Sequence, residues 1–199
     1  RLRADIAADL HDNIGSGLTE ISIISEVLNK LIGNSNPNAS EYLIGIAEKS
    51  RSLVGSMSDT VWLINPRRDS LYDMLQRLKD NTKDILAAQG ITMNTNNKDD
   101  FNKVFLPLEH RQNIYLIFKE AINNSIKHSS ADKMELTAEI WKKQIKISFY
   151  DNGKGFDTTG RYEGNGLYNI KKRAAQIGGE LEIVSGKEYG TNITFIGSI

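Results

Sequence analysis

Apolar residues recur along the first third of the chain at gaps of three and four. Leu10, Ile14, Ile21, Ile24, Leu28 and Leu31 form one stripe, with Gly17 in the same series. Leu43, Ile46, Leu53, Met57 and Ile64 form a second, with Ser50 and Thr60 in register. Sustained alternation of this kind marks helices that share a seam. "GNSNPNAS", residues 33 to 40, separates them with helix-breaking residues, and Ser40 is a candidate cap for the second helix. Two helices cannot surround a core. The hairpin is therefore expected to pair with a second copy as a four-helix bundle.

The pattern changes after Asn65, where the following proline disfavours helix. "SLYDMLQRLKDNTKDILAAQG" is an amphipathic helix, and "ITMNT" is a candidate strand. "PLEHRQNIYLIFKEAINNSIKHSS" is a second helix with Ile114, Ile117, Phe118, Ala121, Ile122 and Ile126 on its apolar side. "KMELTAEIW" and "KQIKISFYD" alternate with period two and predict a hairpin. "GLYNIKKRAAQIGG" is a third helix, and "ELEIVSG" and "TNITFIGSI" are two further strands. The predicted fold class is α+β: a helical hairpin forming a dimeric four-helix bundle over residues 1–66, then a two-layer α/β sandwich over residues 67–199.

Composition narrows the chemistry. The chain has 199 residues, with Lys+Arg 25 and Asp+Glu 25, so its formal net charge is zero. Nucleic acid is not expected as a partner, because no basic excess draws phosphate backbones. Cysteine is absent, which excludes disulfides and thiolate metal sites. No apolar run reaches the length of a membrane span. The chain opens at Arg1 in mid-helix, so an upstream portion is expected.

Four stretches carry candidate chemistry. "DLHDNIGSGL", residues 9 to 18, sets the pair His11-Asp12 beside the first stripe and two glycines inside the helix. Each interior glycine costs about 0.5–1 kcal/mol relative to alanine. Gly15 lies one turn after His11 and is expected to clear space for the incoming ATP-binding domain or a partner, and Gly17 to allow close helix approach or a bend. "KEAINNSIKHS" spaces Glu120, Asn124 and either Lys127 or His128 along one helix face. An amide oxygen there can ligate a hydrated Mg²⁺, and a cation can neutralise phosphate. "DNGKGFD" closes an apolar strand with Asp151, followed by Gly153 and Gly155. A carboxylate at that point can accept hydrogen bonds from an adenine amine, although Asp-Asn-Gly also simply makes turns. "GNGLYNI" puts Gly164 and Gly166 ahead of a helix, whose N-terminal N–H groups suit phosphate.

The order of these elements over residues 67–199 resembles the ATP-binding domain of the gyrase, histidine-kinase and MutL (GHKL) superfamily. The resemblance implies Asn124 as Mg²⁺ ligand, Asp151 on the adenine amine, and Gly153 and Gly155 shaping the adenine pocket. It further implies a short lid over residues 157–165, Gly164, Gly166 and Leu167 at the phosphate-facing helix start, and Thr191 in the adenine water network. Lys127 and His128 would lie near the phosphates, and Glu120 matches the acidic position that orients water in hydrolysing relatives. "LHDNIG" ahead of such a domain resembles the phosphoacceptor motif of sensor histidine kinases, in the His-Asp subfamily that includes nitrate sensors. "DTVWLINP", residues 59 to 66, is similar to the end of the hairpin in that subfamily.

The implied activity is ATP-dependent phosphorylation of His11, with Asp12 as hydrogen-bond partner and proton acceptor, and transfer to an aspartate of a response regulator. ATP and Mg²⁺ are the implied cofactors. A homodimer and a receiver domain are the implied partners. The implied location is the cytoplasmic part of a membrane-anchored sensor. One position departs from the subfamily: Ser16 stands where a glutamine often positions water for dephosphorylating the regulator, so phosphatase activity is not implied. The rival readings are a non-catalytic dimeric nucleotide-binding module, and an ATPase or serine kinase of the same superfamily.

Overall fold

The computed structural model describes residues 14–33, 35–65, 69–97, 100–141, 143–158, 166–187 and 189–198. The chain divides into two compact units, Arg1–Arg68 and Asp69–Ile199. The expected boundary fell two residues earlier.

The first unit is a helical hairpin of α1 (Ser16–Ile32) and α2 (Pro37–Ile64). The second helix starts earlier than Ser40. Asn36, in extended conformation, accepts the Ala39 N–H at 3.1 Å, and Pro37 occupies the first helical turn. Proline is pre-set for that position and asparagine is a strong cap. Ser40 instead donates to the Asn29 side chain at 2.7 Å, tying the second helix to the first.

Small and polar residues make the contact within the hairpin. Ser22, Ser25, Ala47 and Ser50 are buried between the helices. Arg51 bonds both Ser22 and Glu26 across the pair. Gly15 is also turned to α2, where an added Cβ would lie 2.7 Å from the Met57 methyl carbon. That orientation corrects the expectation that Gly15 clears space for the ATP-binding domain or a partner, since the space beside it is taken by Met57. The apolar stripe, by contrast, faces away: Ile24 is 50% and Leu31 72% exposed, and Ile14, Ile21 and Leu28 are exposed with them. Nothing lies within 4 Å of a Cβ built on Gly17.

The second unit is a sheet with helices on one face. Its elements are α3 (Leu71–Ala88), β1 (Thr92–Asn97), α4 (Leu108–His128), β2 (Lys133–Trp141), β3 (Gln144–Asp151), α5 (Gly166–Gln176), β4 (Glu180–Gly186) and β5 (Gly190–Ser198). Strand order is β1-β2-β3-β5-β4. Only the β1–β2 pair is parallel. α3 starts on a reciprocal cap, in which Ser70 accepts the Asp73 N–H at 3.1 Å and donates to its carboxylate at 2.6 Å.

Alternation along the strands decides which face is covered. Met134, Leu136, Ile145, Ile147, Phe149, Ile193 and Phe195 are buried, and Glu135, Lys146, Tyr150 and Asn192 are exposed. α3 rests on β1, α4 on β3 and α5 on β4, and α4 packs between its two neighbours. Leu78, Ile117, Phe118, Ile122 and Ile170 bring the helices' apolar sides onto the sheet. This is the expected two-layer arrangement. Ile126 is only half-buried, because Ser125 holds the inward position on that turn.

Candidate nucleotide site

A cavity of about 520 Å³ opens between α4, the start of α5 and the ends of β3 and β5. Glu120, Asn124 and His128 line it from α4, one helical turn apart. Lys127 does not line the cavity and His128 does, so of the two it is His128 that this helix face presents there. Gly166 and Leu167 line it from α5. A Cβ on Gly166 would stand 2.6 Å from a Glu120 carboxylate oxygen and 3.2 Å from the Asn124 amide nitrogen. Glycine therefore lets the helix start approach these two side chains. Gly164, His11 and Asp12 lie outside the described residues.

Asp151 forms the floor. It has the same strand parity as Ile145, Ile147 and Phe149, so its carboxylate points into the helix layer rather than to solvent. It is 2% exposed and accepts the Gly153 N–H at 2.9 Å. Burial pushes its carboxyl above the ordinary range. Hydrogen bonds from the Gly153 N–H, the Ser125 hydroxyl and the Thr191 N–H pull the other way. Thr191 sits directly across the ladder from Asp151 and lines the same cavity. Its hydroxyl is 3.0 Å from that of Ser185, which also accepts the Phe156 N–H at 2.9 Å.

The loop after β3 is folded tightly onto α4. The Lys154 N–H donates to the Ser129 carbonyl at 2.8 Å, and a Cβ on Gly153 would run into that same residue. Gly155 has φ +61°, and its Cβ would collide with the Gly186 carbonyl oxygen. Gly155→Ala is expected to lower stability by about 1–3 kcal/mol through backbone strain alone, read as a lower urea midpoint. An unchanged midpoint would show that the loop relaxes freely.

Several cavity residues were not singled out from sequence: Ser125, Ser129, Phe149, Lys154, Phe156 and Ile193. The signal was present for some. One turn beyond Ala121 on the buried side lies Ser125, and one more reaches Ser129. Two residues before Asp151 and two after Thr191 lie Phe149 and Ile193.

Two family models match the chain. "Histidine kinase" matches residues 3–69, and "Histidine kinase-, DNA gyrase B-, and HSP90-like ATPase" matches residues 109–197. Over both of these spans the chain is similar to histidine kinases. It is 29% identical over 182 residues to the sensor histidine kinase YvfT of Bacillus subtilis, covering 91% of this chain and 46% of that protein. It is 23% identical to the signal transduction histidine-protein kinase/phosphatase UhpB of Salmonella typhimurium, covering 97% and 38%. In fold it is similar to the histidine kinase domain of the Erythrobacter litoralis EL346 blue-light activated histidine kinase, with TM-score 0.57, 17% identity, and coverage of 92% and 93%. The chain spans about half the length of the curated relatives it matches, or less. The ATP-binding domain of this kinase fold is the unit that carries the cavity. Among the described residues no helix is long and apolar enough to cross a membrane.

Proposed function

We propose that the chain phosphorylates His11 from Mg²⁺-ATP and passes the phosphoryl group to an aspartate of a response regulator. The observation that carries this reading is the cavity. It gathers Glu120, Asn124, His128, Asp151, Gly166 and Thr191 from four elements, in a chain whose other unit bears the His11-Asp12 pair. The covalent step balances simply. An imidazole nitrogen of His11 attacks the γ-phosphorus, the bond to the bridging oxygen breaks, ADP leaves, and Asp12 accepts the ring proton. Asp151 would hold the adenine amine, with Gly153 and Gly155 shaping its loop. The α5 start, Leu167 included, would face the phosphates with His128 nearby.

Magnesium fits the donor set. Among the described residues no group of three or more His, Asp or Glu could hold a metal unaided. The Asn124 amide oxygen beside Glu120 suits a cation that takes its other ligands from water and phosphate. Bound there, it would neutralise charge on the transferring group. Asn124 would hold it, and Glu120 would orient water or the nucleophile.

The exposed stripe on α1 supports a homodimer through the hairpin, since isoleucines and leucines at helical spacing do not stay in water without cost. Ile24→Glu with Leu28→Glu is expected to convert the dimer to monomer by light scattering. A dimer that survives both changes would refute this seam. The partner regulator, and a cytoplasmic setting within a membrane-anchored sensor, follow from the same reading.

Labelling with Mg²⁺-ATP carrying a γ-phosphate tracer tests the function. Acid-labile, base-stable label is the expected result, as a phosphoramidate requires. Acid-stable label would indicate a serine kinase. Bound ATP with no label at all would indicate a non-catalytic module.

A further inference from the structure

Packing alone does not account for the two glycines that follow His11. Gly15 is buried against α2, and nothing stands within 4 Å of a Cβ on Gly17. The backbone does something unusual here. Ile14 and Gly15 are wound as π-helix, immediately before the regular turns of α1 begin at Ser16. Such turns hold one residue more than an α turn and occur mostly at functional sites. The Thr19 hydroxyl donates to the Gly15 carbonyl at 2.8 Å, a back-bond of the kind that bends helices.

Helical periodicity shows what this turn changes. Along a bundle helix, residues seven apart share a face. Ser22 and Ser25 are buried against α2, and Gly15, seven before Ser22, is buried with them. His11 stands fourteen residues before Ser25. An unbroken α-helix would therefore turn His11 toward α2. A π turn absorbs one residue, so each residue before it takes the place of its successor, a rotation of about 100°. His11 then takes the place that Asp12 has in the unbroken helix. That place lies seven and fourteen residues before Thr19 and Glu26, which are both exposed. The apolar residues upstream serve either register. Continued through an unbroken helix, the stripe reads Leu10, Ala7 and Arg3; shifted by one it reads Asp9, Ile6 and Leu2. Each series holds two apolar residues and one charge, so burial does not select one outright.

We propose that the π turn at Ile14 and Gly15 is a register joint: wound as π-helix it presents His11 for phosphorylation, and converted to α-helix it withdraws the imidazole against α2. The inference rests on the assignment of His11 as acceptor. The glycines then have a reason. Glycine is conformationally permissive and alanine favours the α-helix, so Gly15 and Gly17 keep the π form accessible at a cost in helix stability. The Met57 methyl carbon fills the space beside Gly15 and leaves none for a side chain there.

The chain has no cysteine, so His11→Cys gives a single reporting thiol. Its rate of modification by a maleimide is measured in three backgrounds: otherwise unchanged, with Gly15→Ala and Gly17→Ala together, and with that pair plus deletion of Asn13. The deletion removes one residue between His11 and Gly15, so an unbroken helix then points residue 11 as the π turn does. The alanine pair is expected to slow modification about tenfold, the factor by which two such changes favour the α-helix. The deletion is expected to restore the original rate. Labelling from Mg²⁺-ATP in the same three backgrounds, with His11 intact, is expected to follow the same order. Equal thiol rates in all three would overturn the proposal. So would a slow rate that the deletion leaves slow, which would mark general damage to the hairpin. Thiol rates in the expected order, in a protein that takes no label, would leave the register joint standing and overturn the assignment of His11 as acceptor.

Discussion

A His11→Gln protein is expected to bind ATP with wild-type affinity and to take up no phosphoryl group. Glutamine is close in size and keeps hydrogen-bonding capacity, so the hairpin should fold as before. Its amide nitrogen has no available lone pair, so it cannot attack phosphorus. The loss should be complete rather than partial, because no neighbouring group replaces the nucleophile itself. Removing the proton acceptor is milder. Asp12→Asn should slow labelling about 10²–10⁴-fold, the usual worth of a positioned general base. The chain has 3 histidines, which makes the alternative specific. His128 lines the cavity. Label that persists in His11→Gln and vanishes in His128→Gln would move the acceptor into the cavity wall and sink the hairpin assignment.

Asp151→Asn is expected to act in opposite directions on binding and on stability. An asparagine that keeps its oxygen on the Gly153 N–H must turn its NH₂ toward the adenine amine. A donor then meets a donor. ATP affinity should fall about ten- to a hundredfold, the range for losing a hydrogen bond to a charged group. The free protein should become more stable at neutral pH. Burial raises the Asp151 carboxyl above its ordinary value, so the folded state binds its proton more tightly than the unfolded chain does. Stability contributed by this group is complete below the unfolded pKa and declines as pH rises toward the folded value. Asparagine carries no such penalty. The gap in thermal midpoint between variant and wild type should open as pH rises through the carboxylate range and close in acid. A variant less stable than wild type at neutral pH would mean that the hydrogen bonds from Ser125, Gly153 and Thr191 outweigh the desolvation of the charge. The expected pair of effects is a site held at the expense of stability.

Much of the candidate site was open to a reader of the chain, because it lies at element ends where residue type is constrained. Asp151 closes an alternating strand, and Gly153 and Gly155 follow at once. Asn124 and Glu120 share a helix face by spacing alone. These positions are set by periods of two and 3.6, which need no knowledge of neighbours. The same arithmetic left Lys127 and His128 undecided, since both lie near that face. The cavity takes His128.

Local pattern thus specified the helical hairpin, the helices and strands of the second unit, their one-sided burial and the residues able to meet a nucleotide. Strand order was beyond it. β5 enters between β3 and β4, and this sets Thr191 across from Asp151, a contact between residues forty apart in the chain. No periodicity encodes such a pairing, because it depends on which edge is free when the last strand arrives. The hairpin seam was equally hidden. The apolar stripes implied a bundle seam that a second copy covers, and did not say which residues join the two helices of one hairpin. Ser22, Ser25, Ala47 and Ser50 are buried there, and Ile14, Ile21, Ile24, Leu28 and Leu31 are left exposed. Hydrophobic spacing reveals that a face must be covered. Only the packed structure decides which surface covers it, because small residues allow a closer approach than the apolar stripe does.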